Sequence, residues 1–582
     1  DPACGSGHFL VEAFHMLLAM RLEEGEPLEA AIAGIVRDNL HGLEIDPRCI
    51  QIAGFAVAME AWKAGFPTDE YLPLPNLACV GLPIRAEKEE WLKLAGGDGL
   101  LEGELEKYYD LFKNADSLGS LIQIEEGGTL VPGEVLMQKL EKALAKEKAT
   151  GDPVAEAFGE TASGVLKAVE YLRGKDFHIV VTNPPFLGRN RQSDFIKDFC
   201  KFKYSAEKKD LSTCFIEREK KFSIRTGYYA IVCPQYWLNL KRYEDLRFKL
   251  LNQQKMLLIA QLGPGAFETI NGEVVQVALI VFLNDSPSEN STISALCRSN
   301  AHSAQTIDNE QMLIDPDDLK LNQLGQLKNP DRRILLGTVD NAPLFENYAF
   351  SWQGIKTSDD LRFCRKFWEF FEIMGGWHRF QRSPIKTNLY SGFEDLIFWE
   401  DGQGDLTSIC QKGAAFRGKS GWGKEGIAVG LINTLPCSLY SGEKFASEIA
   451  VVQPKSDAVN LQTLWSFCIS DRFKKQIRLL DQKVAVTNST LLKAPFDLPY
   501  WQKVAEGKYP NGLPEPHSDD PTQWLFEGNI VGSEQPLHVA IARMLGYRWP
   551  EQPAEEDSID ALADQDGIVC IPPVWGERPA VE

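Results

Sequence analysis

The apolar run Phe177-His178-Ile179-Val180-Val181 stops, after one threonine, at Asn183-Pro184-Pro185-Phe186. A short run this rich in Ile, Val and Phe reads as a buried parallel strand. The two prolines end it, because neither offers an N–H to a sheet ladder. A carboxamide, two rigid carbonyls and an aromatic ring are thereby set at the carboxyl end of a strand, where open α/β sheets form their ligand crevice. The Asn183 side-chain oxygen and the Pro184 carbonyl can each accept a hydrogen bond from one –NH₂ group, and Phe186 can lie flat on a planar ring. The stretch reads as a pocket for an amine on an aromatic base. Asn-Pro-Pro alone is a common turn, so the weight of this reading comes from the chain's first residues.

Those residues are Asp1-Pro2-Ala3-Cys4-Gly5-Ser6-Gly7-His8-Phe9-Leu10. Gly5 and Gly7 allow a tight turn and a close backbone approach to a ligand, with a helix expected from about Phe9. The pattern departs from the dinucleotide fingerprint, having an acid in front and no third glycine at the usual spacing. Together, Asp-Pro-Ala-Cys-Gly-Ser-Gly and Asn-Pro-Pro-Phe resemble the S-adenosylmethionine-dependent DNA methyltransferases that act on adenine N6. More closely, the chain resembles the large single-chain adenine methyltransferases of type IIG restriction–modification and BREX phage-exclusion systems. The resemblance is specific at both motifs, good to about residue 285 and looser beyond.

Several expectations follow from the resemblance. The fold is α/β, a Rossmann-like S-adenosylmethionine-dependent methyltransferase sheet followed by a mixed α/β target-recognition region. The cofactor is S-adenosylmethionine, held by Asp1, Pro2, Ala3, Gly5, Gly7, Glu44 and Asp116, and the partner is double-stranded DNA. Other restriction or phage-exclusion subunits are further partners in such systems. Asn183, Pro184, Pro185 and Phe186 would carry catalysis. Hydrogen bonds to Asn183 and Pro184 would draw the adenine amine towards tetrahedral geometry, and Phe186 would replace the stacking lost when the base is flipped. Two other readings stay open: a methyltransferase for RNA or protein glutamine, and a DNA-binding specificity subunit of a phage-exclusion system with little catalysis of its own.

The order of elements agrees with this outline. Apolar residues at helical spacing cover positions 9–25, and a second helix is expected at 27–39. A strand at 40–45 leads into Glu44-Ile45-Asp46-Pro47, where an acid after the second strand suits ribose hydroxyls. Asp46 fits a helix N-cap better. The residue facing the cofactor adenine is ambiguous: the strand at 76–80 ends without an acid, while Asp116 follows a long acidic insertion. Further strands are expected at 228–233, 256–262 and 274–283, with Asn271-Gly272 as a hairpin turn. The basic loop 187–192 has the composition of a mobile loop that meets DNA phosphate.

At 582 residues the chain favours several domains. Expected boundaries are a catalytic domain at 1–285 with a helical insertion at about 85–174, a connecting segment at 286–339, a target-recognition region at 340–550 and an acidic segment at 551–582. Between Trp352 and Arg382, aromatic and basic residues interleave, and Arg362, Arg365 and Arg379 are the candidates for reading base edges. The formal net charge of −21 counts against non-specific coating of DNA, but not against a locally basic cleft. The 12 cysteines show no metal or disulfide spacing, and no metal site is expected. With no apolar run of membrane-spanning length and no signal peptide, the chain reads as cytoplasmic, with no membrane partner. It opens inside a loop motif that ordinarily follows a strand, so the first strand and whatever precedes it are expected to be missing.

Overall fold

A computed structural model describes residues 1–84, 87–93, 95–124, 167–173, 177–263, 276–297, 319–337, 342–370, 373–409 and 417–515, with a few isolated positions besides. About half of the 85–174 insertion (125–166 above all), the Asn271-Gly272 turn and the 551–582 segment lie outside the described residues. The chain divides into two compact units, Asp1–Leu336 and Gly337–Glu582.

In the first unit, β1 (His41–Glu44) and β2 (Asn76–Cys79) pair in parallel. The helices His8–Glu23 and Pro47–Lys63 cover this pair, burying Leu10, Phe14, Ala53, Val57 and Leu77 in one cluster. Asp46 caps the second of these helices by accepting from the Arg48 N–H, as expected. Its hydrogen bonds to Arg48 hold the carboxyl pKa down at about 2.

A six-stranded sheet forms the rest of the unit, in the order β3-β4-β6-β5-β7-β8. Its members are β3 (Phe177–Thr182), β4 (Ser223–Pro234), β5 (Lys255–Gly263), β6 (Val277–Leu283), β7 (Thr292–Cys297) and β8 (Leu319–Asn322). β3 and β4 are parallel, and β6 runs antiparallel between β4 and β5. β6 reads Val-Ala-Leu-Ile-Val-Phe-Leu, apolar at every position because a central strand has both faces covered. Phe282 of β6 stacks on Tyr229 of β4, centroids 4.7 Å apart. β3, β4, β5 and β7 run in one direction, with β6 inserted antiparallel in the middle and β8 antiparallel at the edge, an α/β sheet of the kind expected from the motifs. The polar stretch after Leu283 contributes β7 and β8 to the same sheet.

The helix Leu211–Phe222 packs against β4 and carries Glu219 into the core with no exposed surface. Neither carboxyl oxygen has a hydrogen-bond partner among the described residues. Burial pushes its pKa well above the model-peptide value of 4.5. The folded chain therefore keeps a proton that the unfolded chain releases. This group's contribution to stability is full below the unfolded pKa and is lost as pH rises through the folded one. Glu219→Gln keeps the shape without the titration. Thermal unfolding followed from acid to alkaline pH is expected to show a flatter alkaline decline for this variant, and identical curves would refute the assignment.

The second unit contains two four-stranded sheets. One runs β14 (Cys437–Tyr440), β13 (Gly426–Gly430), β16 (Ile449–Pro454), β9 (Ala349–Gln353), antiparallel throughout. The helices Leu461–Cys468, Asp471–Leu480 and Leu498–Lys508 cover it, with Phe345, Phe467, Phe473, Phe496 and Trp501 in one aromatic core. The smaller sheet runs β10 (Cys364–Lys366), β12 (Asp395–Phe398), β11 (Trp377–Gln381), β15 (Lys444–Phe445). This is the mixed α/β architecture expected for the second half.

Candidate active site

The opening loop is bound on two sides. The Asp1 nitrogen donates to the His41 carbonyl, and the Asp1 carbonyl accepts from the Leu43 N–H, each at 2.9 Å. This is the exchange of a parallel pairing across Gly42. The Asp1 side chain turns the other way. Its Oδ1 accepts from the Ala3 N–H at 2.9 Å and from the Thr182 hydroxyl, at the end of β3, at 2.7 Å. One carboxylate thus joins two motifs that lie 181 residues apart in the chain.

Gly5 and Gly7 have φ of 55° and 90°, left-handed values that favour glycine. A Cβ on Gly7 would meet the Cα and Cβ of Ala53 at 3.0 Å, so the loop seats directly on the helix Pro47–Lys63. A Cβ on Gly5 would meet no atom within 4 Å, so this glycine borders open space. The Gly5 N–H is held by Glu44 Oε2 at 2.8 Å. The other oxygen, Glu44 Oε1, accepts from the N–H groups of Ile45 (2.9 Å) and Asp46 (3.2 Å). Glu44 therefore ties the glycine loop to the end of β1. A carboxylate has about four acceptor sites, so three such bonds leave it capacity for a hydroxyl.

Pro2 is buried, and its carbonyl accepts from the Ser120 hydroxyl at 2.5 Å; Ala3 is half-buried. Asp116 lies four residues before Ser120, exposed on the short helix Ala115–Leu118, and its Oδ1 accepts from the Ser117 hydroxyl. The structure thus brings the segment of Asp116 beside the loop, through Ser120, without a bond from Asp116 itself to the glycine loop or Glu44.

At the end of β3, Pro184 is buried, Phe186 half-buried, and Asn183 and Pro185 exposed. Among the described residues the Asn183 carboxamide makes no hydrogen bond. The loop that follows, read from its composition as mobile, is pinned instead. The Leu187 carbonyl accepts from the Leu211 N–H (3.0 Å) and Gln192 Nε2 (2.9 Å), and the Arg189 N–H donates to the Lys209 carbonyl (3.0 Å). The residue that sequence reasoning missed is Thr182. A hydroxyl at the end of an otherwise apolar strand was the available signal.

The interleaved stretch of the second unit is largely internal packing. Phe363 and Phe380 are core residues. Arg362 pairs with Asp405, Arg365 donates to the Leu361 and Cys364 carbonyls, and Arg382 bridges Asp360, Asp395 and Glu448. Of the three candidate base readers, Arg379 lines a surface hollow, with Trp377, Trp422, Glu443 and Lys444.

The glycine loop, the acid after β1 and the Asn-Pro-Pro-Phe turn after β3 are set on a Rossmann-like α/β sheet. Residues 38–267 match the family model for the Eco57I restriction-modification methylase. The adenine-specific methyltransferase BrxX of Escherichia coli O9:H4 (strain HS) is 31% identical over 310 residues, covering 49% of this chain and 25% of that protein. The adenine-specific methyltransferase PglX of Lacticaseibacillus casei (strain Zhang) is 29% identical over 286 residues, covering 48% of this chain and 23% of that protein. The chain therefore spans about a quarter of the length of these relatives. A solved structure of the type IIL restriction-modification enzyme MmeI in complex with DNA shares the fold, with a TM-score of 0.50 and 13% identity over 95% of this chain and 70% of that one. No described helix is long and apolar enough to cross a membrane.

Proposed function

We propose that this chain is a cytoplasmic, site-specific DNA methyltransferase that transfers a methyl group from S-adenosylmethionine to N6 of an adenine flipped out of duplex DNA, in restriction–modification or phage defence. The observation that carries the proposal is the Asp1–Thr182 bond, which sets the glycine loop against the strand end that delivers Asn183. The similarity to adenine-specific methyltransferases supports the choice of base.

The residues present suit S-adenosylmethionine. Asp1 and Glu44 offer carboxylates to an ammonium group and to ribose hydroxyls, and Gly5 leaves open space for the ligand to approach the backbone. When bound, the cofactor supplies an electrophilic methyl group on a sulfonium. The chain's own part is to prepare the amine. The Asn183 carboxamide oxygen and the Pro184 carbonyl accept its two hydrogens, which withdraws the nitrogen lone pair from the ring and aims it. Phe186 offers a ring face to the flipped base. Asp116 remains our candidate for the far, adenosine side of the cofactor.

We assign chemistry to residues 1–285 and choice of sequence to residues 340–550; residues 286–339, which connect them in the chain, also complete the first unit's sheet with β7 and β8. The test is to incubate the full-length protein with unmethylated duplex DNA and S-adenosylmethionine, digest to nucleosides and identify the product by mass spectrometry. N6-methyladenine is the expected product; methyl groups on RNA or protein alone would reject the reading.

Glu44 gives a sharper test of the cofactor site. Its loss removes three charge-assisted hydrogen bonds, each worth roughly 1.5–3 kcal/mol, and frees the glycine loop from β1. Glu44→Ala is expected to weaken S-adenosylmethionine binding roughly 10- to 100-fold by calorimetry. Glu44→Gln, which keeps one acceptor oxygen, is expected to fall between. Unchanged affinity in the alanine variant would take Glu44 out of the site.

A further inference from the structure

The second unit carries a hollow of about 350 Å³ whose lining includes Trp377, His378, Arg379, Trp422, Glu443 and Lys444. Its floor is the parallel pairing of β11 with β15, Phe380 opposite Lys444 and Gln381 opposite Phe445. The walls are fixed by aromatic packing. Trp377 leans on Phe398 at 5.1 Å between centroids, and Trp422 meets Trp399 edge-on at 5.3 Å. Lys444 Nζ lies 5.2 Å from the Trp422 ring and 5.8 Å from that of Trp399, so its ammonium is held between two indoles. The turn that presents Glu443 is set by Gly442 at φ 114° and by the Tyr440 hydroxyl, which donates to the Glu443 carbonyl.

Two buried polar atoms here have no hydrogen-bond partner among the described residues, Glu443 Oε2 and Trp422 Nε1. Burial raises the Glu443 pKa and lowers that of Lys444, the expected cost of removing both from water. Orphaned polar atoms of this kind are expensive unless a ligand answers them. The ligand must donate to a carboxyl oxygen and accept from an indole N–H and two cationic side chains. A phosphate fails, because Glu443 repels it. A metal ion fails on ligand count, since no cluster of three or more His, Cys, Asp or Glu exists among the described residues. An apolar group would leave both orphans unanswered.

The major-groove edge of a C·G pair has the required set: the cytosine N4 amine as donor, and guanine O6 and N7 as neighbouring acceptors. An A·T pair also presents an amine, but its two acceptors, adenine N7 and thymine O4, lie on opposite sides of that amine, whereas guanine O6 and N7 lie together on one side of it. We propose that this hollow reads one C·G pair of the recognition site, with Glu443 accepting from the cytosine amine and Arg379, Lys444 and the Trp422 indole N–H donating to guanine O6 and N7. The proposal rests on the reading of the chain as a site-specific DNA methyltransferase, and it makes Glu443 a specificity-determining residue.

The test is enrichment of bound sequences from a random duplex pool by the full-length protein, in wild-type, Glu443→Ala and Arg379→Ala forms. Intrinsic tryptophan fluorescence and thermal unfolding establish that each variant is folded, and Glu443→Gln replaces the alanine variant if that one is not. The expected result is a wild-type motif in which one C·G position becomes degenerate in both variants. Discrimination there should fall roughly ten- to hundredfold while the other positions hold. A wild-type motif left intact by the Glu443 variant overturns the hollow's role and leaves the parent reading standing. Failure of the wild-type protein to enrich any motif overturns both.

Discussion

Asn183→Ala is expected to lower N6-adenine methylation by at least about 10²–10³-fold, the scale seen when one preorganised polar group is removed from a reacting centre. Cofactor affinity and fold should change little. The side chain is exposed and makes no hydrogen bond among the described residues, so its removal leaves no buried group unpaired. The backbone around it is fixed by other means: Pro184 is buried, Thr182 is bound to Asp1, and the following loop is pinned to residues 209–211. The variant therefore isolates the carboxamide. Asn183→Asp retains an acceptor oxygen and should keep more activity than the alanine variant. Phe186→Ala should cost less, about 1–3 kcal/mol of lost base stacking. Product nucleosides measured by mass spectrometry, with calorimetry for the cofactor, separate these outcomes. Full activity in Asn183→Ala would sink the mechanism.

What the sequence discloses about this site is its inventory, and what it conceals is the wiring. Strands β1, β2, β3, β5 and β6 fall close to where apolar runs predict them; β3, expected to be buried, instead exposes His178 and Ile179, the latter by 67%. Asp46 is readable as a cap because its partner is two residues away. The Asp1–Thr182 and Glu44–Gly5 bonds are not readable, since their partners meet only when the sheet forms. The same holds for residues 187–192, where glycine and charge suggest mobility until the backbone bonds to residues 209–211 are known. β4 begins earlier than its apolar run, at Ser223, passing through Thr226 at φ 67° and Gly227, which local pattern cannot reveal. β8 is polar and mostly exposed, so it reads as a linker. Among the arginines, composition cannot tell a base reader from one spent on a neighbouring carboxylate. Arg362 and Arg382 prove to be of the second kind.

Arg247→Ala should destabilise the first unit by about 3–5 kcal/mol, since each buried carbonyl left unpaired costs about 1–3 kcal/mol. Arg247 lies on the helix Glu244–Gln253 with no exposed surface. Its guanidinium donates to four backbone carbonyls: Trp237 (2.6 Å), Leu240 (2.8 Å), Asp331 (2.7 Å) and Arg332 (3.0 Å). Those carbonyls belong to two irregular segments, the turn after β4 and the chain's last stretch before the second unit. Only the Leu240 carbonyl has a second donor, the Tyr243 N–H, among the described residues, so the arginine does the work of secondary structure for the other three. Burial lowers the Arg247 pKa to about 9, yet the four acceptors justify the cost of keeping the charge. In the alanine variant the Trp237, Asp331 and Arg332 carbonyls lose this donor, Leu240 keeps the Tyr243 N–H, and a cavity replaces the side chain. Arg247→Met fills the cavity and leaves those three carbonyls unanswered, so it should recover only part of the loss. Calorimetry of the full-length protein is expected to show the first unit's transition lowered by on the order of 10 °C with that of the second unit unmoved. A transition within a degree or two of wild type would mean that water or neighbouring groups replace the guanidinium, and that the turn after β4 holds its shape without it.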